Sequence, residues 1–235
     1  ETDGLELKFG NADVLKPLVE KISKKEGIGR LLAKGVRAAS KELGPDSEKF
    51  AMHAKGLEIP GYDPRAFFGM ALNLATTALG ADHNKAFTIA AEFLGVLGDY
   101  DRFSYEGKPE LVKRMQDSTV MIDSAIMCMF TVDLGISVDL YAKALNLVTG
   151  MNLNADDVYS IGARVNTLER MFNLREGIDS SQDRLPDRFA TDPGSDPDGH
   201  TVDISKMLPE YYELRGWDAN GVPTSGHLHE LGIDV

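Results

Sequence analysis

The sequence predicts an all-α fold, an irregular multi-helix bundle with long loops. Apolar residues recur at helical spacing along most of the chain. Helix starts and stops, marked by Asp, Asn, Pro and Gly, bracket those stretches. No run alternates convincingly between apolar and polar residues, as a half-buried strand would. At 235 residues, 43% hydrophobic and 26% charged, the chain is long enough to bury a core and has an ordinary globular composition.

Val14, Leu15, Leu18, Val19 and Ile22 define the first helix, which Gly27 stops. Pro17 requires that helix to start close to Asp13, because proline fits only the first turn. Leu31, Leu32, Gly35, Val36 and Ala39 give a second helix ending at Gly44-Pro45, with Gly35 as a mark of close packing. Residues 52–65, with Pro60 and Pro64, read as an extended connector. A domain boundary falls just before it, separating 1–50 from 51–235. Helices follow over 66–78 and, after a break at 79–83, over 85–97. Pro109 opens a helix leading to Cys128, with Leu111, Met115, Ile122, Ile126 and Met129 on its apolar face. Another covers 137–147. Asn154 and Asp157 form an imperfect capping box for a helix with the face Val158, Ile161, Val165, Leu168 and Phe172, ended by Gly177. Residues 179–203 form a long loop, and a last helix holds Met207, Leu208, Tyr211, Tyr212 and Leu214.

The net charge of −12 argues against nucleic acid as a partner, since phosphate neutralisation needs clustered cations. No window approaches a membrane span. The first residues lack the basic start and apolar core of a signal peptide. A single cysteine fits a reducing cytoplasm. The chain does not begin with Met, which suggests a cut upstream.

Cys128 is that only cysteine. Beside Met127 and Met129 it reads as a small core hydrophobe. The alternative is one ligand of a site whose other ligands lie outside the chain. Asp123 and Cys128 lie about 140° apart on an ideal helix, so the helix must end between them if both act together. His83 and Lys85 leave one interhelical break, which suits proton transfer or an anionic cofactor; solvated loop polarity is the bland alternative. His53 and His200 stand in no informative context. His227 and His229, two apart, share no helix face and read as surface. The loop from Asp192 through Asp196 and Asp198 to Gly199 fails the register of a calcium loop and reads as a solvated connector.

Several stretches, in order along the chain, resemble the carboxy-terminal region of the tungsten-containing aldehyde:ferredoxin oxidoreductase family. They are Lys55-Gly-Leu-Glu58-Ile-Pro60 with Tyr62-Asp-Pro-Arg65, Leu74-Ala-Thr76 leading to Gly80-Ala-Asp-His83, and Asp123-Ser124 with Cys128. Glu169-Arg170 through Asn173-Leu-Arg175-Glu-Gly177, Asp183-Arg-Leu-Pro186, Tyr211 to Trp217 and Gly221-Val-Pro-Thr224 complete the series. Gly4 to Gly10 also resembles the part just before that family's last domain.

The resemblance implies helical domains: 1–50 as the end of the middle domain and 51–235 as the last. It implies a tungsten bis-pterin cofactor and a [4Fe-4S] cluster in the full-length protein. The family motif Asp-x-x-Gly-Leu-Cys stands here as Asp123 to Cys128, with Ile126 and Met127 in place of Gly and Leu. Cys128 would be the fourth cluster ligand, and Asp123, Met127 and Lys85 would contact pterin. His83 falls at the catalytic histidine, with proton transfer as its implied role. Leu79 and Asp82 stand where the family often has Arg and Cys. The three-cysteine cluster motif and the amino-terminal pterin domain would lie upstream, so a carboxy-terminal fragment, inactive alone, is expected. Ferredoxin, an aldehyde substrate and the missing domains are the implied partners, and a homodimer is a candidate assembly. Two alternatives stay open: a related tungsten or molybdenum reductase of carboxylates or aryl-acyl-CoA esters, and a non-catalytic helical assembly domain.

Overall fold

The computed structural model describes residues 2–133, 135–194 and 196–234. Among them the fold is helical apart from two short strands. The order is α1 Leu15–Lys24, α2 Ile28–Leu32, α3 Val36–Leu43, α4 Pro45–Glu48, β1 His53–Ala54, β2 Leu57–Glu58, α5 Phe68–Thr76 and α6 Ile89–Glu92. Then follow α7 Lys108–Ser124, α8 Phe130–Asp133, α9 Val138–Thr149, α10 Ala155–Arg175, α11 Arg188–Thr191, α12 Leu208–Leu214 and α13 Ser225–Glu230.

Three helical expectations are corrected. The helix expected through Gly35 is two helices, α2 and α3, because Gly35 takes φ +79°. The close contact there is real. The Glu58 carboxylate accepts the Val36 N–H at 2.8 Å, and a Cβ on Gly35 would lie 3.1 Å from that oxygen. The first helix stops at left-handed Lys25 rather than at Gly27. The expected helix over 85–97 shrinks to α6, since Ala86 is extended at φ −160° before it and Phe93 leaves helical backbone at φ −122° after it. The 52–65 connector also holds an unexpected hairpin, with His53 paired to Glu58 and Ala54 to Leu57. Lys55 and Gly56, both at positive φ, make the tight reversal that two-residue hairpin loops favour.

Every residue of α5 is buried. Its amino terminus meets a buried carboxylate from α6. Glu92 accepts the Gly69 N–H at 2.9 Å and the Thr88 hydroxyl at 2.7 Å, and pairs with Lys108 at 2.8 Å. Anion, helix terminus and cation thus satisfy one another away from water. The main core joins α5 to α12, Leu185, Phe189 and Trp217, and draws none of the described residues of 1–50.

The long helices α7 and α10 cross where Gly162 meets the Asp117 carbonyl; a Cβ there would lie 1.9 Å from that oxygen. The expected capping box of α10 is present: Asn154 accepts the Asp157 N–H at 3.1 Å, and Asp157 accepts the Asn154 N–H at 2.8 Å. Its buried face is not the predicted one. Val158 is buried, but so are Gly162, Thr167, Arg170 and Asn173, while Leu168 and Phe172 are exposed. The polar side chains win because partners await them: Asn173 donates to the Ala78 carbonyl at 2.9 Å and Arg170 to the Gly221 carbonyl at 2.8 Å. Among the described residues no helix is long and apolar enough to cross a membrane.

Candidate functional site

Of the predicted site residues, Lys85 and Asp123 meet where α7 ends. His83–Lys85 form a 3-10 turn whose cap, Asp82, accepts the Asn84 N–H at 2.8 Å. From that turn the Lys85 ammonium reaches Asp123, near the end of α7, at 3.0 Å, and Glu169 on α10 at 3.9 Å. Burial holds the Glu169 carboxyl above its ordinary range; Asp123 adds to the rise and Lys85 opposes it. Lys85 and Glu169 line a narrow cleft with Gln116, Arg170, Asn173 and Trp217. Its enclosed part, about 20 Å³, is the size of roughly one water.

α7 stops at Ser124, between Asp123 and Cys128. The Ile126 N–H donates to the Asp123 carbonyl at 3.0 Å and the Met127 N–H to the Ile122 carbonyl at 3.1 Å, the paired bonds of a Schellman stop. Ile126 occupies its left-handed position at φ +59°, where a β-branched residue is strained and glycine is at ease. This is the motif position at which Ile replaces Gly. Ile126 and Met129 therefore leave the predicted apolar face of α7, while Leu111, Met115 and Ile122 are buried on it. The reading of Cys128 as a core hydrophobe is overturned, because its thiol is exposed. Its carbonyl accepts the Thr131 N–H at 3.2 Å, tying the segment to α8.

His83 is half-buried, with ring centroids 6.0 Å from Tyr62 and 6.4 Å from Phe87, both edge-on. The Tyr62 hydroxyl is buried without a hydrogen-bond partner. Burial, aided by the Asp82 charge, raises its pKa further out of reach.

Beneath the cleft lies a polar network that the sequence reading did not single out. Gln116 donates to Asn73 at 3.0 Å and accepts from Tyr211 and Arg215, both at 2.6 Å. Arg215 pairs with Asp117, which also accepts Asn166 at 2.8 Å and Lys113 at 3.0 Å. Burial weakens Arg215's hold on its proton, but Asp117 and Tyr211 outweigh that and raise its pKa. Nearby, Asp183 gathers Lys55 at 2.8 Å, Arg170 at 2.9 Å and the Tyr212 hydroxyl at 2.6 Å. Burial lowers the Lys55 pKa against the pull of Asp183. Lys55, Glu169, Arg170, Asp183, Tyr211 and Trp217 all lie in stretches that carry the family resemblance, which was the available signal.

The donor chemistry fits a share of the implied groups: one exposed thiol, five residues beyond a carboxylate that holds an ammonium. A four-iron cluster needs more thiolates than Cys128 supplies. Among the described residues, the acid and histidine group able to share an ion is Asp196, Asp198 and His200. It includes none of the predicted site residues and is internally bonded, His200 Nδ1 lying 2.6 Å from Asp196.

Comparison with known proteins gives a consistent picture. Residues 1–233 match the family model described as aldehyde ferredoxin oxidoreductase, domains 2 and 3. A tungsten-containing aldehyde ferredoxin oxidoreductase of Pyrococcus furiosus is 39% identical over 98% of the chain, which covers 38% of that relative. An aliphatic sulfonate oxidoreductase, WOR-like subunit, of the same organism is 28% identical over 98% of the chain and 36% of its own length. The chain thus spans under two fifths of these curated relatives. In structure it is similar to a chain of the active-site complex BamBC of benzoyl coenzyme A reductase, with a TM-score of 0.67, 20% identity, and 98% and 40% of the two chains covered. That likeness concerns the fold alone.

Proposed function

The chain belongs to the aldehyde ferredoxin oxidoreductase family, and from that premise we propose that it is the carboxy-terminal part of a tungsten-dependent enzyme oxidising aldehydes to carboxylic acids, with ferredoxin as electron acceptor in the cytoplasm. The observation that carries this reading is the Lys85–Asp123 pair, which sets the catalytic turn against the helix stop that presents Cys128. The Cys128 Sγ would supply one ligand to a [4Fe-4S] cluster, and Asp123, Lys85 and Met127 would hold a tungstopterin. Those groups, when bound, supply two-electron oxidation of the aldehyde and single-electron transfer outward.

The chain's own residues do the rest. His83, held between the edges of Tyr62 and Phe87, moves a proton at its imidazole. Lys85 fixes the spacing between its turn and α7, and Glu169 stands behind it. The buried Gln116–Arg215–Asp117 network keeps α7 and α12 in place, so that the ends of Asp123 and Lys85 do not drift. Residues 1–50 complete the middle domain and 51–235 form the last, a division supported by the absence of the described residues of 1–50 from the main core. The reading makes this portion inactive without the remaining three fifths found in its relatives.

The test is metal analysis of the full-length protein with an aldehyde-dependent viologen assay. Tungsten, iron and aldehyde-driven dye reduction are expected, and a preparation containing neither metal overturns the reading. The sulfonate-acting relative supports a second reading, in which the same framework serves another substrate. Reduction of a carboxylate or an aryl-CoA ester in place of aldehyde oxidation would select it.

A further inference from the structure

A second cleft, away from Lys85 and Asp123, lies between α3, strand β1 and the segment 181–191. Its volume is about 560 Å³, inside the range of roughly 300–1,000 Å³ common for small-molecule sites. Its lining opposes the charge of the whole chain. Six Lys and Arg side chains face two carboxylates there, in a protein of net charge −12. Lys55 is taken up by Asp183 at 2.8 Å. Arg184 and Arg188 hold exposed partners, Asp187 at 2.7 Å and Asp192 at 3.0 Å. Such pairs are weak and readily exchanged for a stronger anion. Arg37 makes only a long bond to the Lys55 carbonyl, 3.4 Å, and Lys41 makes no ion pair among the described residues.

His53 stands on β1 in the wall of this cleft, with Nδ1 buried and lacking any partner. That leaves Nε2 as the ring nitrogen open to a ligand, since Nδ1 is shut away from one. The fields of Arg37, Lys41 and Arg184 all reach the ring and, after burial itself, help to depress its pKa. Several cations from two walls therefore line one partly enclosed space together with the His53 imidazole. Convergent cations in a low-dielectric recess concentrate anions, and guanidinium forks match phosphate oxygens.

We infer that this cleft binds a small polyanion of the phosphate class, with Arg37 and Lys41 on one wall, Arg184 and Arg188 on the other, and His53 beside them in the lining. The site shares no lining residue with the cleft at Lys85 and Glu169. Calorimetric titration of the full-length protein with inorganic pyrophosphate and with ADP tests it. Both probes are expected to bind, more weakly as salt rises. Tighter binding of ADP would point to a nucleotide and equal binding to a free polyphosphate, and either supports the site. The double variant Arg37→Ser/Lys41→Ser, and separately Arg184→Ser from the opposite wall, should each weaken binding, the former at least about tenfold. Lys143→Ser, on α9 outside the cleft, should leave it unchanged. Failure of both probes to bind at millimolar concentration overturns the inference. So does undiminished binding by folded wall variants, or binding of polyglutamate with neither phosphate probe.

Discussion

The interior beneath the cleft and the edge at residues 123–130 are built in opposite senses. Inside, ions and amides lie where hydrocarbon is usual: Arg215, Asp117 and Gln116 are buried, as are Lys55, Arg170 and Asp183. At the edge, Ile126 is 95% and Phe130 66% exposed, beside an exposed thiol. Helix α10 shows both on one element, with Arg170 inward and Phe172 outward. The difference separates two tasks. The Gln116–Arg215–Asp117 network sets positions tightly, because each member lost leaves another unpaired, whereas Arg170 keeps one buried nitrogen, Nη2, without a partner. An apolar edge carrying a strained turn is suited to contact with further polypeptide.

Breaking the interior has the largest expected effect. Asp117→Ala strips Arg215 of its anion and should cost about 3–5 kcal/mol, read from the urea midpoint. Ile126→Gly acts at the edge and in the other direction. Relief of the left-handed strain should stabilise the chain by about 1 kcal/mol, net of the added freedom of glycine when unfolded.

Glu169→Gln has a smaller effect whose pH dependence identifies it. The folded carboxyl titrates above its ordinary 4.5, so the unfolded chain releases its proton first. Stability from this group is full below about 4.5 and is lost as pH rises through the folded pKa. The variant should therefore match the parent near pH 4 and exceed it at neutral pH, with the gap opening between those values. A constant gap would remove burial as the cause. Phe172→Ser should change the stability of the 235-residue chain by no more than about 0.5 kcal/mol. A much larger loss in the full-length protein would show that its exposed ring is covered there.

The element types were largely legible, because apolar spacing and the Asn154–Asp157 cap act locally. The break at Gly35 was not, since a glycine within an apolar pattern leaves the backbone free and Glu58, twenty-three residues on, decides it. The buried face of α10 was misread for the same kind of reason. Leu168 and Phe172 fit a stripe, but the partners of Arg170 and Asn173 lie at Gly221, Asp183 and Ala78, and no local pattern reveals them. At the site, the spacing of Asp123 and Cys128 required a helix end between them only if both act together, while the apolar pattern ran the helix on to Met129; the chain ends it at Ser124. The ion pair from Lys85 to Asp123, thirty-eight residues apart, came only from the fold. The basic cleft was invisible in the sequence, because its cations are scattered from 37 to 188 in an acidic chain.

The most direct test of the proposed role of this edge is Cys128→Ser in the full-length protein, read by iron content and by the low-temperature EPR spectrum of the reduced state. The account predicts a lost or altered [4Fe-4S] signal with the fold retained. An unchanged signal and unchanged iron content would contradict it.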